Sequence, residues 1–212
     1  MTASQTNARE TIRTFWARDG AAYDAADGHG IGSADEQARW RALLAELPEG
    51  ARAADVGAGT GFVAMLLAEL GHEVIALDQS GEMLAEARRK AAAADLEVRF
   101  EIADVEQLPL DDDSVDIVTA RHVLWTLLDP ERAFGEWHRV LRPSGVAIAD
   151  LSLGRRSAHY DEDVEAALPL RGVEDAAVVT AMLEAAGFSQ VDVRHTPAHG
   201  HRPAGVVFVA HN

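Results

Sequence analysis

The stretch AADVGAGTGFVAMLLAELGHEVIALD, residues 53–78, decides the fold. Ala53–Val56 is a short apolar run stopped by glycines. Phe62–Leu70 is apolar, of helical length, and ends at Gly71. Glu73–Leu77 is again strand-like and runs into Asp78. Strand, helix and strand in that order form a parallel pair with a helical crossover. Gly57, Gly59 and Gly61 fall where the first strand gives way to the helix. Glycine lets the backbone turn tightly there and lets a ligand approach with no Cβ in the way. The helix that follows offers unsatisfied N–H groups to a carboxylate or phosphate.

Working outward, the alternation continues. Ser80 can cap a helix carrying Met83, Leu84, Ala87 and Ala91. Glu97–Ile102 and Val115–Thr119 read as the third and fourth strands. Asp129-Pro130-Glu131 combines an N-cap acceptor, a proline at the first helical position and an early acid. That helix buries Ala133, Phe134, Trp137, Val140 and Leu141, and leaves His138 on a solvent face. Pro143 to Gly145 turns into a fifth strand, Val146–Leu151. Leu153–Val173 is polar and stays unassigned. Glu174–Ala186 is a helix closed by Gly187. Gln190–His195 and Val206–Ala210 are strands joined by a link too short for a crossover helix, so they pair antiparallel. Upstream, Glu10–Asp19 is a short helix, Tyr23 to Ser33 a loop, and Ala34 to Leu47 a helix with Trp40, Leu43, Leu44 and Leu47 on one face. The reading is an α/β fold: a doubly wound, seven-stranded, mostly parallel sheet with one antiparallel strand and helices on both faces. Residues 1–47 form an N-terminal helical lid, and residues 48–212 form the core of a single domain.

Composition bounds the function. The 212 residues carry 19 Lys plus Arg against 35 Asp plus Glu, a net charge of −16. Such a surface opposes nucleic-acid binding, which needs a basic footprint. With no cysteine, disulfides, thiolate catalysis and cysteine-ligated zinc are excluded. No apolar run approaches the length of a membrane span. The N-terminus lacks an apolar signal core, so a cytoplasmic protein is expected. His199-Gly200-His201 has metal-like spacing but lacks an ordered third ligand, and no metal is expected.

The glycine spacing, G-x-G-x-G, differs from the dinucleotide pattern G-x-G-x-x-G, and no P-loop Gly-Lys-Ser/Thr is present. Asp78 lies 17 residues after Gly61, where a carboxylate can accept from both ribose hydroxyls of a nucleoside. Asp104, after the third strand, can accept from the exocyclic amine of a base, with Val105 beside it. One adenosine lying across the sheet edge could reach all three sites. The plain alternatives are a glycine-rich turn with no ligand and acids that only solvate turns.

At this point the sequence resembles the class I S-adenosylmethionine-dependent methyltransferases, in particular those similar to the ubiquinone/menaquinone-biosynthesis enzymes. The resemblance rests on DVGAGTG (55–61), VIALD (74–78), IADVEQLPLDDDSVDIV (102–118) and RHVLWTLLDPERAFGEWHRVLRPSGVAIAD (121–150). FWARDGAAYDAADGHGI (15–31) looks like the lead-in to such chains. The family motif most often has Cys where Ala58 stands. The resemblance implies a Rossmann-like fold, with S-adenosyl-L-methionine as cofactor and S-adenosyl-L-homocysteine as product. It places Gly57, Ala58, Gly59 and Gly61 under the methionyl part and Asp55 near the amino group. Asp78 falls on the ribose, Gln79, Asp104 and Val105 at the adenine, and the Arg121 carbonyl near the sulfonium. Tyr23 closes over the methionyl end.

A base is sought near the end of the fourth strand, because a hydroxyl acceptor of high pKa needs one. His122 is the candidate, with a core role as the plain alternative. Trp125 could wall the acceptor pocket, and Tyr23 and His29 are further catalytic or substrate contacts. Tyr160, in the variable segment after the fifth strand that the resemblance places over the substrate, is a further substrate contact. The expected activity is methyl transfer to a small-molecule N or O nucleophile by a monomer or homodimer. Two other readings stay open. One is a catalytically silent cofactor- or partner-binding module of the same fold. The other is an NAD-dependent oxidoreductase, which the glycine spacing and the missing Tyr-x-x-x-Lys pair oppose.

Overall fold

The computed structural model describes residues 3–17, 23–25, 34–154, 159–196 and 204–212. Its strands are β1 (Arg52–Val56), β2 (Glu73–Asp78), β3 (Arg99–Ile102), β4 (Val115–Ala120), β5 (Leu141–Ser152), β6 (Gln190–Thr196) and β7 (Gly205–His211). They form a seven-stranded sheet in the order β3-β2-β1-β4-β5-β7-β6. The first five strands are mutually parallel. β7 enters between β5 and β6 and runs antiparallel to both, as the short link between them requires.

Alternation along the strands divides the core in two. Ala53, Val74, Ala76, Ile117 and Ile148 face α2 (Ala34–Leu44) and α3 (Phe62–Glu69), meeting Trp40, Leu44, Val63 and Leu67. Their sequence neighbours Ala54, Ile75, Val118 and Ala147 join the opposite cluster. There they share a core with Phe134 and Trp137 of α5 (Pro130–Val140) and Val179 and Leu183 of α7 (Ala177–Ala185). Period-two alternation therefore explains why helices are needed on both faces. α4 (Gly81–Ala93) is capped by Ser80, whose side chain accepts from the Met83 N–H at 3.2 Å. Asp129 caps α5 through the Arg132 N–H at 3.1 Å, with Pro130 in the first turn.

Several boundaries differ from the sequence reading. α1 spans Ala3–Ala17 and so begins a full two turns earlier than expected. Its Ala8 and Ile12 are buried against Leu128, Val164 and Leu168, a tertiary contact that no local pattern signals. α2 stops at Leu44, three residues short, and α7 begins only at Ala177. α5 passes directly into β5 at Leu141 rather than through a turn. The unassigned tail contains α6 (Glu162–Ala166), with Asp161 accepting from the Val164 N–H as its cap. His138 is half-buried rather than solvated, its ring edge-on to Phe188 at 5.4 Å. Among the described residues, no helix is long and apolar enough to cross a membrane.

Phe134 is fully buried and meets Trp137 edge-on at 5.2 Å. Phe134→Ala is expected to lower unfolding stability by about 3–5 kcal/mol in urea titrations, the usual cost of emptying such a site.

Candidate active site

The parallel strands end at one edge of the sheet, and β1 and β4 mark the point where the strand order reverses. Ligand clefts in such sheets form there. After β1 the backbone takes positive φ at Gly57, Gly59 and Gly61, at 68°, 54° and 84°. A Cβ at Gly57 would lie 2.3 Å from a methyl of Val123. The N–H groups of Gly57 and Ala58 both donate to the Leu77 carbonyl, at 2.8 and 3.0 Å.

Asp78, at the end of β2, fixes this loop. One carboxylate oxygen accepts from the Gly59 N–H and the other from the Ser80 N–H, each at 2.8 Å. Burial raises its pKa against the lowering effect of these bonds. A carboxylate has about four acceptor positions, and the Gly59, Ser80 and Gln79 N–H groups draw on three, so capacity remains for a ligand hydroxyl.

Asp55 is more deeply placed. It accepts from the Thr119 hydroxyl at 2.7 Å and from the Ala64 N–H, in the first turn of α3, at 3.0 Å. Gly61 stands at the N-cap of α3 without a side chain to offer, and Asp55 does the capping from the neighbouring strand. Burial pushes its carboxyl up to about 7, against the lowering effect of the Thr119 and Ala64 bonds.

The opposite wall follows β4. The Arg121 guanidinium lies over the Phe62 ring at 4.5 Å and pairs with Glu36 at 3.3 Å. His122 adopts a left-handed φ of 63°, a strained conformation for a residue with a Cβ. Its N–H donates to Asp150 at 2.5 Å, and its Nε2 lies 3.6 Å from the other oxygen of the same carboxylate. Asp150 stands at the end of β5, and its contact with His122 orients the imidazole.

The cleft between these walls is lined by Gly57, Gly59, Asp78, Gln79 and Val105 on one side and by Arg121, His122 and Trp125 on the other. Trp16, Tyr23 and His159 roof it. Trp16 meets Tyr23 at 5.8 Å and Trp125 at 5.9 Å, both edge-on. The Trp16 Nε1–H donates to the Tyr160 hydroxyl at 2.8 Å. Tyr160 stacks on Trp125 outside the cleft lining, and burial raises its pKa. Asp24 fastens the Tyr23 turn by accepting from Thr60 of the glycine loop and pairing with Lys90 of α4.

Most of the residues singled out from the sequence thus meet around one cleft. Ala58 and Asp55 line a smaller adjoining space that shares Tyr23, Gly57, Gly59 and Arg121 with the cleft, and Gly61 ends the same loop. Asp104 stands apart. Its carboxylate is held by Arg9 of α1 and by the Glu106 N–H at 3.0 Å, and it does not line the cleft. His29, His199 and His201 lie outside the described residues. Asp150 and Met83 are the residues here that the sequence reading did not reach. For Asp150 a signal was present, since it is a third acid at a strand end, like Asp78 and Asp104.

Fold and cleft together define a Rossmann-like methyltransferase. Residues 54–149 match the family described as a methyltransferase domain. A demethylmenaquinone methyltransferase of Clavibacter sepedonicus is 34% identical over 187 residues, 74% of this chain and 75% of that protein. The demethylmenaquinone methyltransferase of Thermus thermophilus is 45% identical over 114 residues, 50% of this chain and 51% of that one. A Thermotoga maritima structure, titled a SAM-dependent methyltransferase and possible histamine N-methyltransferase, superposes with a TM-score of 0.71 at 20% identity. That superposition covers 94% of this chain and 99% of the other. The chain belongs to the class I S-adenosylmethionine-dependent methyltransferases of the ubiquinone/menaquinone type. It spans about half the length, or less, of most curated relatives it matches.

The raised carboxyl of Asp55 has a defined pH signature. Below about pH 4 both folded and unfolded chains hold the proton. As pH rises, the unfolded chain ionises first, so stability falls until the folded carboxyl also ionises near 7. Asp55→Asn is expected to flatten the decline in Tm between pH 4.5 and pH 7.5, measured by thermal melts. An unchanged slope would show that Asp55 is ionised throughout.

Proposed function

We propose that this chain transfers a methyl group from S-adenosylmethionine to a small molecule carrying an N or O nucleophile. The observation that carries the reading is the convergence of the Asp78-braced glycine loop and the His122–Asp150 pair on one cleft. The donor set suits an adenosylated amino acid. Positive-φ glycines allow close backbone approach at Gly57 and Gly59. Asp78 would hold the ribose, and Gln79 and Val105 would flank the base. Asp55 would attract the methionyl ammonium, with the Arg121 carbonyl serving the same end. Asp104 can take the adenine amine once Arg9 yields its place.

When bound, the cofactor supplies a sulfonium methyl: the acceptor lone pair forms the new bond, the C–S bond breaks, and its electrons return to sulfur. Alignment of the acceptor alone can supply several kcal/mol. His122 takes the proton of a hydroxyl or ammonium acceptor, and Asp150 orients the ring and stabilises its charged form. Trp125 and Tyr23 border the reacting groups, and Tyr160 backs Trp125, which excludes water. Residues 1–47 act as the lid. As it stands the cleft encloses about 80 Å³, well below the roughly 300 Å³ at which ligand pockets begin. The relatives' names specify demethylmenaquinone as acceptor for those proteins, which supports a small-molecule acceptor for this cytoplasmic monomer or homodimer. The oxidoreductase alternative receives no support from the comparisons.

Calorimetry with S-adenosylhomocysteine is the direct test. Wild type is expected to bind it, and Asp78→Asn at least tenfold more weakly, because one charged acceptor is lost. His122→Ala should keep that affinity within about twofold while kcat falls by roughly 100-fold. No binding by folded wild type would overturn the reading.

A further inference from the structure

The acceptor side of the cleft is walled by aromatic rings. Trp16, Tyr23 and Trp125 all line it. Trp16 stands edge-on to the other two, with 5.8 and 5.9 Å between centroids and 74° and 73° between planes. Rings set at such steep angles around a shared space form walls rather than a stack. The Trp16 Nε1–H donates to the Tyr160 hydroxyl at 2.8 Å, and Tyr160 does not line the cleft. The indole donor is thus directed away from the cleft, and what the ring offers there is carbon and π density. Tyr160 lies within 26° of parallel to Trp125 and backs that ring.

The charges around this space favour a cation. Asp78 lines the cleft, and Asp150 lies beside His122 and Trp125. Arg121, on the opposite side, is held by Glu36 at 3.3 Å and lies over the Phe62 ring at 4.5 Å. Arg171, beyond Trp125, is paired with Glu165. Aromatic faces attract an ammonium group within about 6 Å of the ring centroid, tryptophan most strongly, and the attraction grows as water is excluded. A neutral hydroxyl gains nothing comparable from the same rings.

We propose that Trp16, Tyr23 and Trp125 form a cation box, and that the methyl acceptor is an alkylamine held in it. The inference rests on the methyl-transfer reading of the cleft and adds to it the chemical class of the acceptor. An amine that enters as ammonium gives one proton to His122. Its freed lone pair then forms the new N–C bond, the C–S bond breaks, and the bonding electrons return to sulfur. Positive charge passes from sulfur to nitrogen between the same rings. With a hydroxyl acceptor the only new cation would be the His122 imidazolium, and the rings would be left with no charged acceptor to hold.

The test uses the full chain saturated with S-adenosylhomocysteine. The sulfur of that molecule carries no charge, so a preference for cations belongs to the acceptor position. The probes are choline, whose nitrogen has no lone pair to methylate, and neohexyl alcohol, its uncharged carbon isostere. Binding is followed by NMR on the indole N–H resonances, with Trp16 and Trp125 in the cleft and Trp40 and Trp137 outside its lining as controls. Choline is expected to shift Trp16 and Trp125 and to bind at least about tenfold more tightly than the alcohol. Trp125→Leu should bring that ratio close to unity, while Trp125→Phe, which keeps a ring, should hold it at about fivefold or more. Tyr23→Leu against Tyr23→Phe makes the same comparison at a second wall should Trp125→Leu fail to fold. A wild-type ratio near unity, choline shifts confined to Trp40 or Trp137, a ratio lost equally in the leucine and phenylalanine variants or kept in both, or no binding of choline would each overturn the proposal. Binding of S-adenosylhomocysteine is read separately by calorimetry. Its failure in wild type would strike the methyl-transfer reading and the acceptor class with it, whereas its success with a ratio near unity would strike the acceptor class alone.

Discussion

The site depends on one carboxylate bridging two stretches of backbone. Asp78 accepts from Gly59 on one side and Ser80 on the other. In this way the end of β2 holds both the glycine loop after β1 and the start of α4. Glycines that can adopt positive φ are also the residues with most freedom to leave it. Without a fixed acceptor the loop would sample many shapes. With both oxygens engaged, it presents a single backbone surface to the cleft, and Ser80 is placed to cap α4. The acid expected to meet the ligand is thus also the acid that builds the ligand's cradle.

A similar economy occurs across the cleft. Asp150 binds both the backbone N–H and the ring side of His122. The left-handed φ of His122 turns its N–H toward β5, and the carboxylate there offsets the strain. Glu36 works likewise from α2, joining Arg39, the Trp40 indole and Arg121. These contacts tie the helix that precedes β1 to the end of β4. The geometry of the acceptor side is therefore set by residues far apart in sequence.

That distance explains how much was legible from the sequence. The sheet could be read because its signals are local: apolar runs bounded by glycine, and strand alternation with clean burial of Ala53 against Ala54 on opposite faces. The glycine loop and Asp78 were legible for the same reason. The early start of α1 was not, since what steadies it is tertiary, the packing of Ala8 and Ile12 on Leu128, Val164 and Leu168. Nor was the capture of Asp104 by Arg9, a contact spanning 95 positions. Asp150 could be seen as a strand-end acid, but its work depends on the backbone twist at His122, which no spacing rule reports.

The strand order also constrains how the protein is made. β6 precedes β7 in the chain yet lies outside it, hydrogen-bonded to the sheet only through β7. On the ribosome, β6 emerges with nowhere to pair. The edge of β5, which carries the mostly buried run Val146–Leu151, stays bare until residues 205–211 appear. An open apolar edge of that kind invites pairing with other chains. The sheet is thus sealed from the middle by a late-arriving strand, and the nascent chain passes through an interval in which shielding of β5 by a chaperone has the most to offer.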